Sequence, residues 1–350
     1  MSEETPNGFE IGKLMMGLWV PQALHAAADL GLADAMADGP LSASELSRRL
    51  ATHPGATARL LEALCVLNVV ERAPAGFALA PLGQFLRSDV DGSRRAWARL
   101  MGGPEVWRAW GRLSECVRTG EAAYSLGEHR RTETETFDAL FADETAASVF
   151  HQAMADGTRS QTEAILSALE LPAGATVVDV GGGFGELLCA ALERDPTARG
   201  QVFDLAHAER GAVQLFCSRG LAGRAAFVSG NLFEDAPPSA DWLLLKSVIH
   251  DWSDERSLRI LESCARAIAG GGRLAVVEPF ALPPGNGVSA SFAWILAFSD
   301  LNMLVNTGGR ERSRDQFASL AERAGLSVER VVSCGGFYSA LVCRSASTGC

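Results

Sequence analysis

The chain has 350 residues and a formal net charge of −11, with 31 Lys and Arg against 42 Asp and Glu. Its composition of 47% hydrophobic and 21% charged residues can bury a large core and excludes a disordered chain. No apolar run approaches the ~20 residues that a membrane helix needs, and the polar, acidic first residues are unlike a secretory signal. We therefore expect a cytoplasmic protein without a membrane partner.

Cysteine and histidine are scattered along the chain. None of the eight cysteines forms a C-x-x-C pair, and the six histidines are equally dispersed. Most cysteines stand inside apolar patterns, which is typical of small core residues. This spacing predicts no metal site.

The N-terminal region has a helical pattern of apolar residues between positions 10 and 38. Pro21 interrupts this pattern, so we expect two helices there. Because these helices have no core of their own, we expect them to be buried against a partner subunit.

Residues 41–87 predict a helix, a second helix and a short hairpin around Ala75 and Gly76, the layout of a winged helix. Such a module suggests DNA binding, but residues 40–90 contain only five basic side chains against four acidic ones. Since phosphate contacts supply most non-specific DNA affinity, no nucleic-acid partner is expected. We interpret residues 1–90 as a dimerisation domain.

Residues 91–172 predict a helical linker that also forms a lid over the substrate. Phe150, Met154 and Ile165 share one helical face, and periodicity alone favours a core stripe over a substrate wall. His151 could reach the substrate pocket, but the expectation is a solvated histidine.

From residue 173 the pattern changes to strands that alternate with helices, which is typical of a parallel, doubly wound sheet. The two final strands are joined by a short glycine link, which predicts a hairpin and an antiparallel last strand. The predicted fold class is therefore α/β, with a catalytic domain over residues 173–345 and a flexible tail at 346–350.

The glycine-rich segment VGGGFGE covers residues 180–186, after the first of these strands. A dinucleotide fingerprint, G-x-G-x-x-G, requires a third glycine where Glu186 or Leu188 stands, which disfavours a nicotinamide dehydrogenase. Asp204 ends the second strand, 21 residues after Gly183. An acidic residue there can bind both ribose hydroxyls, although an aspartate that caps the next helix gives the same pattern.

Together, VVDVGGGFGE, QVFDL and VSGNLFED resemble the cofactor motifs of S-adenosylmethionine-dependent methyltransferases. The resemblance implies that the glycine loop faces the methionine end, Asp204 the ribose, and Asn231 the adenine. Many relatives have Asp at the position of Asn231, and since an amide can still pair with adenine, we expect altered rather than lost binding. The cofactor-binding residues implied are Gly181, Gly183, Asp204, Leu205, Asn231, Leu232, Phe233, Lys246 and Trp252.

The segment LLLKSVIHDWSDE, residues 243–255, resembles a motif of the plant-type small-molecule O-methyltransferases, which also occur in bacterial natural-product pathways. The segments VVEPF and NTGGRERS match the same family. The resemblance implies a homodimer and a general base, His250, flanked by Glu278 and Glu311, with Asp251 and Trp252 as orienting and packing residues. An imidazole with an ordinary pKa of ~6.5 can deprotonate a phenol near neutral pH.

Residues 290–309 resemble the substrate helix of that family, which implies a small aromatic, phenolic acceptor. The substrate-binding residues expected are Trp107, Phe150, Met154, Trp294, Phe298, Met303 and Asn306. Two alternatives stay open: a family member diverted to cofactor-assisted hydroxylation or decarboxylation, and a non-catalytic cofactor-binding protein.

Overall fold

The computed structural model describes residues 8–127, 130–132, 141–268, 270–281 and 289–346, so most of the predicted tail lies outside the described residues. The chain divides into two compact units. One comprises Met1–Arg108 with Ser148–Asp156, and the other comprises Ala109–Ala147 with Gly157–Cys350. The three-part division at residues 90 and 172 remains a prediction.

The first unit begins with helices and a small hairpin. Its elements are α1 (Gly8–Met16), α2 (Trp19–Asp29), α3 (Leu32–Ala35), α4 (Ala43–Arg49), α5 (Pro54–Val66), β1 (Val70–Ala73), β2 (Gly76–Leu79) and α6 (Arg95–Met101), followed by α7 (Pro104–Trp110), which crosses into the second unit. The two predicted N-terminal helices are present, but the break expected at Pro21 lies earlier, at Gly17 and Leu18. Pro21 sits in the first turn of α2, where a backbone N–H has no helical acceptor to lose.

The order helix, helix and hairpin confirms the winged-helix prediction. Ser42 caps α4 by accepting a hydrogen bond from the Glu45 amide at 3.1 Å. The strands β1 and β2 pair antiparallel from Val70–Leu79 to Ala73–Gly76. Leu46 of α4 and Leu61 and Leu64 of α5 are fully buried in the core of this unit.

The second unit holds the large sheet. Its elements are α8 (Leu113–Thr119), α9 (Glu144–Arg159, whose middle belongs to the first unit), α10 (Thr162–Leu169), β3 (Thr176–Val180), α11 (Glu186–Arg194), β4 (Arg199–Asp204), α12 (Glu209–Ser218), β5 (Ala225–Ser229), β6 (Trp242–Lys246), α13 (Asp254–Ala267), β7 (Arg273–Ala281), α14 (Ala290–Asn306), β8 (Arg312–Ser313), α15 (Arg314–Arg323), β9 (Leu326–Ser333) and β10 (Tyr338–Ser345).

The strand order is β5-β4-β3-β6-β7-β10-β9, with the short β8 beside β7. The first five strands in this order are parallel, whereas β10 is antiparallel to both of its neighbours, β7 and β9. Both the doubly wound sheet and the antiparallel last strand are therefore confirmed. Because strand side chains alternate, Val178 and Val180 pack into the core on one face, and Val177 packs into the core on the other.

This topology determines which edge of the sheet is suited to ligand binding. The chain leaves β3 for β4 on one side and later returns to β6 on the other side, so the strand order reverses next to β3. Open α/β sheets bind ligands at the carboxyl ends of the strands where such a reversal occurs. Within the described ranges, no helix is long and apolar enough to cross a membrane.

Candidate active site

The glycine loop after β3 approaches its neighbours closely. Gly181 and Gly183 have φ angles of +68° and +57°, in the left-handed region that glycine adopts without strain. A Cβ on Gly181 would lie 2.8 Å from a methyl group of Val248. The backbone at Gly181 therefore packs against Val248 too closely to leave room for a side chain.

Asp204 connects this loop to the end of β4. Its Oδ2 accepts a hydrogen bond from the Gly183 amide, and its Oδ1 accepts one from the Leu205 amide, each at 2.7 Å. Burial raises the pKa of Asp204, and the two amides partly offset that effect. Each oxygen has a second lone pair, so the carboxylate fits a ligand that presents hydroxyl groups, as a ribose does.

Asn231, Phe233 and Trp252 meet at the next strand end. Asn231 Oδ1 accepts a hydrogen bond from the Phe233 amide at 3.0 Å. The NH₂ group of Asn231 therefore points away from that amide, in a direction in which it can donate to a ligand. The rings of Phe233 and Trp252 stand edge to face, 4.7 Å apart, and Leu232 packs on the core beside them. Arg256 lies over the Phe233 ring at 4.6 Å and over the Trp252 ring at 5.5 Å. The site therefore combines aromatic rings with an amide donor and a cation, a combination that suits a heteroaromatic base.

Lys246 ends β6 and belongs to a cluster that the sequence did not reveal. Its Nζ lies 3.1 Å from Ser247 Oγ and 3.4 Å from the hydroxyl of Tyr338, and 4.7 Å from the centre of the Tyr338 ring. Ser247 has a φ of +52°, an unusual conformation for a residue with a side chain. Tyr338 comes from the antiparallel strand β10, so its place depends on the sheet order.

His250 lies in a 3-10 turn, Ile249–Asp251, and its side chain is 14% exposed. Its Nδ1 lies 3.2 Å from Glu311 Oε1 and 3.6 Å from Glu278 Oε2. Its Nε2 is 3.9 Å from Asp251 Oδ1. Two carboxylates at Nδ1 favour the tautomer with the proton on Nδ1, which leaves the lone pair of Nε2 as the proton acceptor.

The two glutamates hold the imidazole in different ways. Glu278 is completely buried, and its Oε1 accepts hydrogen bonds from the amides of Val248 and Ile249 at 3.0 and 2.8 Å. Glu278 therefore binds the backbone that carries His250, while its other oxygen faces Nδ1. Glu311 Oε1 instead makes the shorter contact with the ring itself.

The carboxylates make His250 more basic than an ordinary histidine. Burial by itself lowers the pKa of His250, but Glu278, Asp251 and Glu311 outweigh burial and raise this pKa well above 6.5. Burial also raises the pKa of Glu278 to about 7 and that of Asp251 to about 6, and the nearby imidazolium opposes both shifts. The expectation of an ordinary imidazole pKa is thus corrected, because two buried glutamates and the partly exposed Asp251 surround the ring.

Helix α14 touches this cluster through Ser299, another residue that the sequence did not reveal. Ser299 Oγ donates a hydrogen bond to Glu311 Oε1 at 2.6 Å, and the Glu311 amide donates to Asp300 at 2.9 Å. The sequence signal was the pair of polar residues Ser299 and Asp300 in the middle of a mostly apolar helix. A buried arginine, Arg312, was also missed, although it stands next to Glu311 in the NTGGRERS motif.

The predicted acceptor residues of α14 have different surroundings. Trp294 and Phe298 are 62% and 44% exposed, and their rings lie 4.7 Å apart, whereas Met303 is buried. Asn306 donates to Asn302 Oδ1 at 2.9 Å. Their contact with an acceptor remains a prediction.

Trp107, Phe150 and Met154 belong to the first unit, and their role at an acceptor site also remains a prediction. His151 is buried, with its ring edge-on to that of Phe150 at 5.6 Å, so the expected solvated histidine is wrong. Among the residues that the structure describes, no group of three or more His, Cys, Asp and Glu could hold a metal ion.

Comparison with known proteins identifies the family. An O-methyltransferase domain matches residues 110–327, and an O-methyltransferase dimerisation domain matches residues 13–89. The chain is 35% identical over 321 residues to phenazine O-methyltransferase PhzM of Lysobacter antibioticus, which covers 91% of each chain. It is 37% identical over 320 residues to aclacinomycin 10-hydroxylase RdmB of Streptomyces purpurascens, which covers 90% of this chain and 83% of that protein.

A solved structure supports the same assignment. The O-methyltransferase NcsB1 from neocarzinostatin biosynthesis, in complex with S-adenosylmethionine and 2-hydroxy-5-methyl naphthoic acid, is 29% identical, with a TM-score of 0.75 over 93% of this chain and 96% of that one. The glycine loop, Asp204 and the aromatic surface at Phe233 fit this cofactor. The chain therefore belongs to the O-methyltransferase family and is an S-adenosylmethionine-dependent O-methyltransferase of the natural-product type.

Proposed function

We propose that His250 Nε2 removes the proton of a phenolic hydroxyl group while that oxygen accepts a methyl group. The observation that carries this proposal is the placement of Glu311 and Glu278 at Nδ1, which leaves Nε2 as the only ring nitrogen able to accept a proton. S-adenosylmethionine, when bound, supplies a methyl group that is already electrophilic. The protein therefore has to orient the acceptor and take up its proton.

The surroundings of His250 suit this task. A phenol has a pKa of ~10, and the raised pKa of His250 narrows the gap between proton donor and acceptor. The buried carboxylates also stabilise the imidazolium that forms. General-base catalysis contributes roughly 10²–10⁴-fold, so positioning of the acceptor must supply much of the remaining acceleration.

A small aromatic natural product is the proposed acceptor. We expect Trp294, Phe298 and Met303 of helix α14 to line the acceptor site, because aromatic and thioether side chains suit a planar ring. The NcsB1 structure contains a hydroxylated naphthoic acid, which supports the same class of acceptor here.

The relative RdmB is named a hydroxylase, so a diverted reaction is the second candidate. The cluster of His250, Glu278 and Glu311 favours methyl transfer, because a hydroxylation that does not deprotonate a phenol gains nothing from a base held in this way.

A homodimer is part of the proposal, since a dimerisation domain matches residues 13–89. Helix α1 has no buried residue, and Ile11, Leu14 and Met15 are exposed on it. Burying such a face in a partner subunit removes apolar surface from water. Leu14→Asp should shift the sedimentation coefficient towards the monomer, and an unchanged dimer would contradict this role of α1.

The function is tested with a panel of hydroxylated aromatic compounds incubated with the enzyme and S-adenosylmethionine. Mass spectrometry should show the gain of one methyl group on at least one phenol. Products that carry an added oxygen instead would favour the hydroxylase. No product from any phenol, with cofactor binding intact, would refute methyl transfer to this class.

A further inference from the structure

Arg312 is a fully buried arginine at the start of β8, directly after Glu311. A buried cation is costly unless hydrogen bonds and an opposite charge surround it. Burial lowers the pKa of Arg312, while Asp254 opposes that effect. The hydrogen-bond partners of the guanidinium therefore indicate why an arginine is buried at this position.

Those partners are the backbone carbonyls on either side of His250. Nη1 donates to the Ile249 carbonyl at 2.9 Å, and Nη2 donates to the Trp252 carbonyl at 2.7 Å. Nε and Nη2 also donate to Asp254 Oδ1, at 2.9 and 2.8 Å. A planar guanidinium can reach all three groups at once, which a single ammonium cannot do.

The segment before Arg312 holds the same turn. The Arg310 amide donates to the His250 carbonyl at 2.9 Å, and a Cβ on Gly309 would lie only 2.0 Å from that oxygen. Residues 309–312 thus bind three carbonyls of the turn, at Ile249, His250 and Trp252. Glu278 Oε1 accepts hydrogen bonds from the amides of Val248 and Ile249, where the turn begins.

We infer that Arg312 is a positioning residue, whose guanidinium fixes the turn at residues 249–252 so that His250 Nδ1 stays beside Glu311. Since Glu311 and Arg312 are adjacent, one short segment supplies both the partner of the imidazole and the clamp on its backbone. The effect on catalysis rests on the proposed role of His250 as the base, whereas the effect on the geometry of the imidazole does not.

Arg312→Lys tests this inference, because lysine keeps the charge and loses the planar fork. A shift of about 1 Å at a reacting group costs up to about 100-fold, so we expect kcat to fall roughly 10- to 100-fold. The Kd for S-adenosylhomocysteine, measured by calorimetry, should stay within about threefold of the native value. This Kd reports on the cofactor site independently of the KM. Arg314→Lys, the same change at an exposed arginine of α15, should leave both values unchanged.

Proton NMR of the His250 imidazole separates this inference from the proposed function. Glu278, Glu311 and Asp251 are the charged groups that face the ring and raise its pKa. If Arg312→Lys loosens the turn, these contacts weaken and the pKa of His250 falls, whether or not His250 is the base. In Arg312→Ala, added guanidinium should restore activity, and methylammonium should not.

An unchanged kcat and an unchanged His250 titration in Arg312→Lys would overturn the inference. A parallel loss of kcat and cofactor binding, without guanidinium rescue of Arg312→Ala, would overturn it too, since that pattern indicates a general role in stability. A shifted titration with an unchanged kcat would support the clamp and refute His250 as the base.

Discussion

Replacement of Glu311 by Gln is the sharpest perturbation of the base cluster. Glu311 Oε1 accepts from Ser299 Oγ at 2.6 Å and lies 3.2 Å from His250 Nδ1. An amide oxygen in the same place can keep both contacts, while the new NH₂ group replaces Oε2, which is buried without a hydrogen-bond partner among the described residues. The main effect of the substitution is then the loss of the charge. It isolates the electrostatic contribution of this carboxylate to proton transfer.

The size of the effect follows from the change in the hydrogen bond. A hydrogen bond to a charged group contributes about 1.5–3 kcal/mol, against about 0.5–1.5 kcal/mol between neutral groups. The difference of about 1–2 kcal/mol lowers kcat roughly 5- to 30-fold, because the imidazolium is less stabilised as it forms.

The dependence of kcat on pH gives a second test, because the direction in which the profile shifts is also predicted. His250 works as a base when it is neutral, so activity is lost as the pH falls through its pKa. Glu311 is one of the groups that raise this pKa, so Glu311→Gln lowers the pKa and moves the acidic limb of kcat to lower pH. Glu322→Gln, on the exposed side of α15, is the matched control.

The assay is kcat against pH with saturating cofactor, scored by mass spectrometry of the methylated product. An unchanged kcat with an unshifted acidic limb would refute the coupling between Glu311 and His250. A limb displaced to higher pH would refute the sign of the interaction.

Two further substitutions test neighbouring contacts. Ser299→Ala removes the hydroxyl that competes for Glu311, so the pKa of His250 should rise and the acidic limb should move to higher pH, opposite to Glu311→Gln; a shift to lower pH would contradict this. Gly181→Ala and Gly220→Ala share a φ of +68°, but only the first adds a close contact. Gly220→Ala should lose about 1–2 kcal/mol of stability in thermal unfolding, and Gly181→Ala should lose more, because its Cβ also meets Val248. Only Gly181→Ala should weaken binding of S-adenosylhomocysteine; equal binding in both variants would show that the glycine loop tolerates a side chain.

Residues that end parallel strands could be predicted from the sequence, because the carboxyl ends of such strands meet at one edge of the sheet. The glycine loop, Asp204, Lys246 and His250 all follow strands of alternating β-α pattern. Their arrangement in space is thus a consequence of the topology that the pattern predicts.

Other features of the site depend on distances between residues that are far apart in the sequence, and no local sequence pattern predicts those distances. Tyr338 reaches Lys246 across 92 positions, because β10 enters the sheet antiparallel beside β7. The role of Arg312 could not be predicted from the sequence, because charged residues are usually exposed. Only the structure shows the backbone carbonyls to which its guanidinium donates hydrogen bonds. The raised pKa of His250 depends on three acids, two of them buried, and their distances from the ring cannot be read from the sequence.

The position of the N-terminal helix break shows a limit of a local rule. Pro21 was expected to end a helix, since proline disrupts helix interiors. It instead occupies the first turn of α2, where the missing N–H costs nothing. A break at Gly17 and Leu18 then leaves the proline inside the second helix.

The central claim is that His250 accepts the proton of the phenol. The most direct measurement compares kcat and the Kd for S-adenosylhomocysteine of His250→Gln with those of the native enzyme on one accepted phenol. Glutamine is neutral and cannot take up the proton, so kcat should fall at least about tenfold while the Kd is unchanged. A His250→Gln enzyme that retains full kcat would contradict the claim.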